Sequence, residues 1–483
     1  MKKTLFSIIC LATFTFGILT QAVAQSATAT LSGTVTDESG AVVPSANVTI
    51  TDNAKSFERT VITSGEGNFI FTQLPPSSYT VKAIQTGFAE TRLPNVILNV
   101  NDQSSLRIQL KVATASATVN ITNDAPLITE SPAVSTVVDR QFIENQPLNG
   151  RSFQTLVELS PGVVITQSSL PTPGQFSVNG QRAGSNYFTV DGVSANFGST
   201  ASVTLYETSG GGVPSYSALG TTSSLASVDA VQEFSIQTST YAPEFGRQPG
   251  AQVSLVTRSG TNQYHGSVFD YVRNDKFDAA NFFDNANGFA RQPLRQNDFG
   301  ATFGGPLPFL NFGEGSPVFN SGKDRTFFFF SYEGLRLRQP GRTDNDLEVP
   351  SVAARNGATG VLRDLLNAFP LPNRPIPAGN PDVVPYFTNF TNPSKLDATS
   401  FRIDHTVSDK FSVFGRFNYA PSEDQQRARF CAASCVADLT HKTQTFTVGS
   451  TQIFTSKITN DLRVNFSKSK VNQTYFIDTY GGA

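Results

Sequence analysis

The chain has 483 residues, enough for more than one domain. With 36 Lys and Arg against 38 Asp and Glu it is nearly neutral, which argues against nucleic acid as a partner, because that binding needs a basic face. Its 40 Phe, 37 Gly and 27 Pro, with no Trp and one Met, make a palette of strands and turns rather than helices. No run of 18 apolar residues follows the N-terminus, which disfavours a helical membrane protein. A membrane β-barrel stays open, since alternating strands raise no hydropathy peak.

The N-terminus reads as a signal peptide over 1–24. Lys2 and Lys3 form a basic start, Leu5 to Leu19 an apolar stretch, and Ala22-Val23-Ala24 a cleavage signal ending at Ala24. Cys10 belongs to the apolar stretch and comes too early for lipid attachment. Removing the signal leaves Cys431 and Cys435, in "CAASC". In an exported protein so close a pair reads as a local disulfide. Zinc would need two further ligands, and His441 alone does not supply them. No metal site is expected.

Residues 27–112 read as a small β-sandwich. Leu31, Gly33 and Val35 share one face; Val48 and Ile50 alternate with Asn47, Thr49 and Thr51. Turns at Asp37–Gly40 and Gly65–Asn68 separate such segments, and Leu106, Ile108 and Leu110 close the pattern. The stretches "SGTVTDESGAVVPSANVTI" and "GNFIFTQLPPSSYTVKAIQTGF" resemble the carboxypeptidase regulatory-like domain, a transthyretin-like sandwich. The resemblance implies a non-catalytic module, either a periplasmic spacer or a carbohydrate-binding-like unit.

Residues 113–258 read as an α+β domain. In "DRQFIENQPLNGRSFQTLVELSPGVV" two short helical stretches are expected, the second capped by Ser152 and stopped by Pro161-Gly162. Phe176 and Val178, then Phe188 and Val190, alternate with polar residues around an Asn-Gly turn, and the stretch ends in Asp191-Gly192. Strands over 234–238 and 252–258 follow. This order resembles the plug domain of TonB-dependent outer-membrane transporters: "PLNGRSF" and "LSPGV", a strand ending in "DG", then "AVQEFSIQT". Pro249-Gly250-Ala251 and Thr257-Arg258-Ser259-Gly260 depart mildly from the family's closing motif. Arg182 and Asp191 have two readings. They are polar members of a domain that fills a pore, where buried charges must be paired or wet, or they are solvent-exposed turn residues.

From residue 259 to 483 the alternation becomes that of a membrane barrel. Phe299, Ala301 and Phe303 alternate with Asp298, Gly300 and Thr302; Leu462, Val464 and Phe466 alternate with Asp461, Arg463, Asn465 and Ser467. Between Arg336 and Ser400 the chain is Pro-rich and reads as a long extracellular loop, with a short helix at "VLRDLLNAFP". "TNQYHGSVFDYVRNDKFDAANFF", "NDFGATFGGPL" and "GKDRTFFFFSYEGLR" resemble the Oar-like branch of the same transporters. Barrels of this class have roughly 22 strands, whereas this segment offers about seven. The expectation is therefore a mainly β chain: a sandwich, an α+β plug, and a partial antiparallel transmembrane barrel with an open sheet, from a longer, C-terminally truncated transporter.

The resemblance implies a receptor and transporter in the outer membrane, with its N-terminal domain in the periplasm. TonB would be its energy-coupling partner, outer-membrane lipid its surroundings, and an extracellular siderophore, peptide or oligosaccharide its cargo. Val119, Asn120, Ile121 and Thr122 are the candidate segment for TonB to grip by β-augmentation, the alternative being a plain linker. A second function class, adhesion or sugar binding through the sandwich, would require that sandwich to face outward. An enzyme is not expected, nor is a cofactor. His265, His405 and His441 start no zinc-protease motif, and no nucleophile elbow or phosphate loop occurs.

Overall fold

The computed structural model describes residues 27–112, 119–120, 128–129, 133–146, 153–165, 176–197, 214, 217–219, 221–241, 245–286, 288–289, 291–310, 319–342, 348–376, 379–427, 434–455, 458–478 and 480. Ala24, Ser152, Ile121, Thr122 and Cys431 lie outside them. No described helix is long and apolar enough to cross a membrane.

The N-terminal alternation folds into two sheets packed face to face. Strands β1 (Ala29–Thr36), β2 (Asn47–Asp52), β3 (Glu58–Ile62), β4 (Asn68–Leu74), β5 (Ser77–Ile84), β6 (Thr91–Leu98) and β7 (Gln103–Gln109) supply most of them. Two short strands, β8 (Val119–Asn120) and β9 (Ile128–Thr129), extend their edges. The orders are β4-β1-β7-β9 and β3-β2-β5-β6-β8. Leu31, Val35, Ile50, Phe71, Tyr79, Val81 and Ile108 interdigitate in the core. Gly33 is required there, because a Cβ would fall 2.1 Å from the Leu106 carbonyl oxygen and 2.4 Å from the Phe69 ring.

The central domain is built from β10 (Val134–Val138), α1 (Arg140–Asn145), α2 (Gln154–Val157), β11 (Val163–Ile165), β12 (Phe176–Val178), β13 (Tyr187–Val190), β14 (Val193–Ser194), β15 (Val231–Ser239) and β16 (Gln252–Thr257). Its main sheet runs β10-β15-β16-β13-β14, with β11 and β12 as a separate hairpin. Asp139 caps α1 by accepting from the Phe142 amide at 2.8 Å. Phe153, Leu156 and Val157 pack with Phe176, Phe188 and Phe234, so the helical stretches read from the sequence close over this sheet.

The remaining segment begins with β17 (His265–Asn274), α3 (Phe282–Ala286), β18 (Arg295–Pro306), β19 (Phe309–Leu310), β20 (Phe319–Asn320) and β21 (Thr326–Arg342). It continues with β22 (Glu348–Pro350), α4 (Val352–Gly357), α5 (Val361–Asn367), β23 (Val383–Pro385), β24 (Asn389–Ser408), β25 (Phe411–Arg427), β26 (Cys435–Thr455) and β27 (Ile458–Ile477). Seven of these strands form one antiparallel sheet in the order β17-β18-β21-β24-β25-β26-β27. Period-2 alternation gives the sheet two unlike faces. Asp298, Glu333, Ser400, Asn418 and Thr447 are buried on the face toward the central domain. On the other face Phe303, Phe330, Phe401, Phe417, Phe446 and Phe466 stand in register across six strands and stay exposed.

The Pro-rich loop is shorter and more ordered than the sequence suggests. β21 runs on to Arg342 and β24 already starts at Asn389. Inward Phe390, Ser394, Leu396 and Ala398 keep the alternation going through the prolines. Between them β22 pairs with β23, and the buried Arg355 side chain donates to the carbonyls of Pro350, Phe369 and Pro370. The expected short helix is α5.

Candidate functional site

The central domain meets the seven-stranded sheet at Asp191. β13 and β14 pair Val190 with Val193, so Asp191 and Gly192 form a two-residue hairpin loop. Both have positive φ, +51° and +76°, as this tight turn demands. The Asp-Gly dipeptide thus fixes a carboxylate at a hairpin tip. β16 lies beside β13 in parallel, which brings Thr257 alongside. The Thr257 amide donates to Asp191 Oδ1 at 2.9 Å and its hydroxyl to Oδ2 at 2.8 Å.

Three arginines from the large sheet converge on the same residue. Arg402 of β24 donates to Asp191 Oδ1 at 2.9 Å. Arg416 of β25 places Nη1 3.8 Å from Oδ2. Arg463 of β27 donates to the Asp191 carbonyl oxygen at 2.7 Å. Arg402 and Arg416 are direct cross-strand partners, a like-charge pairing that is destabilising on its own. Asp191 lies against both. Arg402 is also gripped by both oxygens of Asp404, at 2.9 and 2.8 Å, and stacks over Phe414 at 4.5 Å. Arg463 binds Asp461 in the same forked way, at 3.2 and 2.7 Å. The three arginines therefore face the three carboxylates of Asp191, Asp404 and Asp461, which is how buried charge is tolerated.

Backbone contacts extend the grip. Arg416 donates to the Leu225 carbonyl at 2.6 Å and Asn418 to that of Ser224 at 2.9 Å. Ser422 accepts from the Ala218 amide at 2.8 Å. Ser259, where the chain leaves the central domain, donates to Asp404 at 2.7 Å.

The sandwich adjoins the end of the sheet where Asp409-Lys410 turns β24 into β25. Asn262 donates from its amide to the Ala54 carbonyl at 3.1 Å and from its side chain to Asp324 at 2.6 Å. Lys55 lies over the Phe327 ring at 5.7 Å. The sandwich also touches the central domain, where the Val100 amide donates to Glu233 on β15. Burial pushes the Glu233 carboxyl up to about 8; the Val100 amide pulls the other way, and Asp102 and Asp139 add to the rise. Ala27, Val100 and Val256 pack together at this contact.

The sequence-predicted residues fall in different places. Asp191 is buried in the network, while Arg182 is exposed ahead of a short 3-10 turn. Val119 and Asn120 form β8, which pairs in parallel with Thr91 and Arg92 at the sandwich edge. Cys435 opens β26 and is disulfide-bonded. Among the described residues no group of three His, Cys, Asp or Glu could hold a metal. The sequence reading did not single out Arg402, Arg416 and Arg463 as partners of Asp191. A usable signal existed in Arg402-x-Asp404 and Asp461-x-Arg463, opposite charges two apart on the inward face of barrel-like strands.

Family models match in the same order as these three regions. A carboxypeptidase regulatory-like domain matches residues 30–111, a TonB-dependent receptor plug domain residues 128–253, and an outer membrane β-barrel domain residues 256–364 and 359–482. The TonB-dependent transporter Oar of Myxococcus xanthus is 30% identical over 359 residues, 69% of this chain. The chain spans 29% of that relative's length. Among solved structures, the outer membrane transporter YddB of Escherichia coli aligns over 73% of this chain and 41% of its own, at 12% identity and a TM-score of 0.45. The siderophore receptor PirA of Acinetobacter baumannii aligns over 70% and 44%, at 14% identity and a TM-score of 0.36. Sandwich, plug and barrel wall thus occur in one chain, which belongs to the TonB-dependent outer-membrane transporters of the Oar-like type.

Proposed function

We propose that this chain carries the gate of a TonB-dependent receptor and transporter, which admits an extracellular ligand past the plug when TonB pulls on the segment before it. The observation that carries the reading is Asp191. One plug residue ties a hairpin tip to three strands of the wall, its carboxylate to Arg402 and Arg416 and its carbonyl to Arg463, so a pull that withdraws this loop breaks all three contacts. Val119 to Thr122 is the gripped segment. β8 already lies in extended pairing, the state in which TonB would add a strand. The ligand is a siderophore, peptide or oligosaccharide met at the long loops opposite the sandwich. No catalytic step is assigned to the chain.

The units are a signal peptide over 1–24, cleaved after Ala24, a periplasmic sandwich over 27–112, the plug over 113–258 and barrel wall over 259–483. A Cys431–Cys435 disulfide staples the loop before β26. Adhesion through the sandwich is not favoured, because the sandwich sits by the short Asp409-Lys410 turn, and short turns belong to the periplasmic end of such barrels. The test is capture by the purified periplasmic domain of TonB. Outer membranes holding the chain should retain that domain, and Ile121→Pro should abolish retention. Undiminished capture by the proline variant would remove this segment from the mechanism.

A further inference from the structure

The outward face of the sheet carries a second feature that plug gating does not use. Beyond the row of phenylalanines, on the side away from the sandwich, Tyr332 and Tyr419 come next on the same face. Further along each strand the face turns basic: Arg336 stands between Asn297 and Lys395, with Glu423 beyond. From Phe330 to Arg336 is about 20 Å of strand, or roughly 15 Å along the membrane normal at the usual tilt. Tyrosines mark the membrane–water interface of such barrels, so the basic residues beyond Tyr332 and Tyr419 fall at the headgroup layer of the leaflet away from the sandwich.

The charges there do not balance. Arg336 pairs with Asp397 at 2.8 Å and lies over the Phe299 ring at 5.6 Å; Lys395 pairs with Glu423 at 2.7 Å. Arg295 and Arg338 stand directly opposite each other on β18 and β21, both exposed, and neither has an acidic partner among the described residues. Like charges set opposite on adjacent strands repel. The groove they line with Arg336 and Lys395 has a volume of about 560 Å³. An anion seated between the two free guanidiniums would relieve the repulsion, and phosphate matches the forked donors of arginine.

We propose that this groove binds a phosphate group of an outer-leaflet lipid headgroup and so fixes the barrel wall against its lipid annulus. The claim is independent of what the plug gates. The experiment is native mass spectrometry of the full chain extracted from outer membranes in mild detergent. The probes are bis-phosphorylated lipid A, the same lipid stripped of its phosphates, and inorganic phosphate. Wild type should retain the phosphorylated lipid and release the stripped one. Arg295→Gln with Arg338→Gln should weaken retention on the order of thirtyfold, at about 1 kcal/mol per basic residue. Arg295→Lys with Arg338→Lys keeps the charge and should retain most of the binding. Lys468→Gln with Lys470→Gln, on the same face of β27, should change nothing. Equal retention of both lipids, or an unweakened glutamine variant, would overturn the proposal. Displacement by millimolar inorganic phosphate would make the ligand a free anion and overturn the lipid assignment. Circular dichroism of each variant separates lost binding from lost folding. If the glutamine variant does not fold, the stripped-lipid comparison on wild type decides alone.

Discussion

The plug is held by two buried carboxylates of opposite design. Asp191 faces three arginines of the barrel wall and two donors of Thr257. Glu233, on the same sheet, faces the Val100 amide of the sandwich and no cation among the described residues. The first contact joins charge to charge. The second keeps a carboxyl near neutral in its site, at about 8, because burial without a counter-ion penalises ionisation. The sandwich-side contact should therefore respond to moderate pH changes.

The largest effect is expected from breaking the first. Asp191→Ala leaves Arg402 and Arg416 facing each other inside the interface, and losing one partner of a buried charge network costs about 3–5 kcal/mol. Urea unfolding of the extracted protein should register that loss, and limited proteolysis should release the plug. The second contact is broken by pH. The folded Glu233 carboxyl titrates near 8 against an ordinary 4.5, so between these values the folded state holds a proton that the unfolded state has lost. The contact should weaken as pH rises through that window, by up to about 1.4 kcal/mol per unit. Glu233→Gln should flatten the dependence in a plot of unfolding free energy against pH. A smaller change is expected for Thr257→Val, which takes one hydroxyl donor from Asp191 and should cost about 1 kcal/mol by the same unfolding assay. Arg182→Ala, at an exposed turn, should stay within roughly 0.5 kcal/mol of wild type. A large loss there would mean that Arg182 has a role the geometry does not give it.

Much of this was legible in the chain itself, where local physics decides. Alternation indicated about seven strands and the polar-in, apolar-out sense of β18 and β27, because a period of two assigns faces without any tertiary knowledge. The Asp191-Gly192 turn was legible for the same reason: that dipeptide alone prefers the left-handed hairpin loop. What Asp191 binds was not legible. Arg402, Arg416 and Arg463 meet it only after the sheet has curved around the plug, and sequence periodicity carries no record of which inward residues then coincide. Glu233 was hidden for a related reason. Its shifted carboxyl depends on the sandwich docking beside β15, and nothing in "VQEFSIQT" announces a neighbour so far back in the chain.

The most direct test of the account is a double-mutant cycle between Asp191 and Arg402, using Asp191→Asn, Arg402→Gln and the pair, read as unfolding free energy. If the carboxylate ties the plug to the wall, the two substitutions should be strongly non-additive, with a coupling of at least about 1.5 kcal/mol. Additive losses, within about 0.5 kcal/mol, would contradict it and reduce Asp191 to a turn residue that happens to lie near arginines.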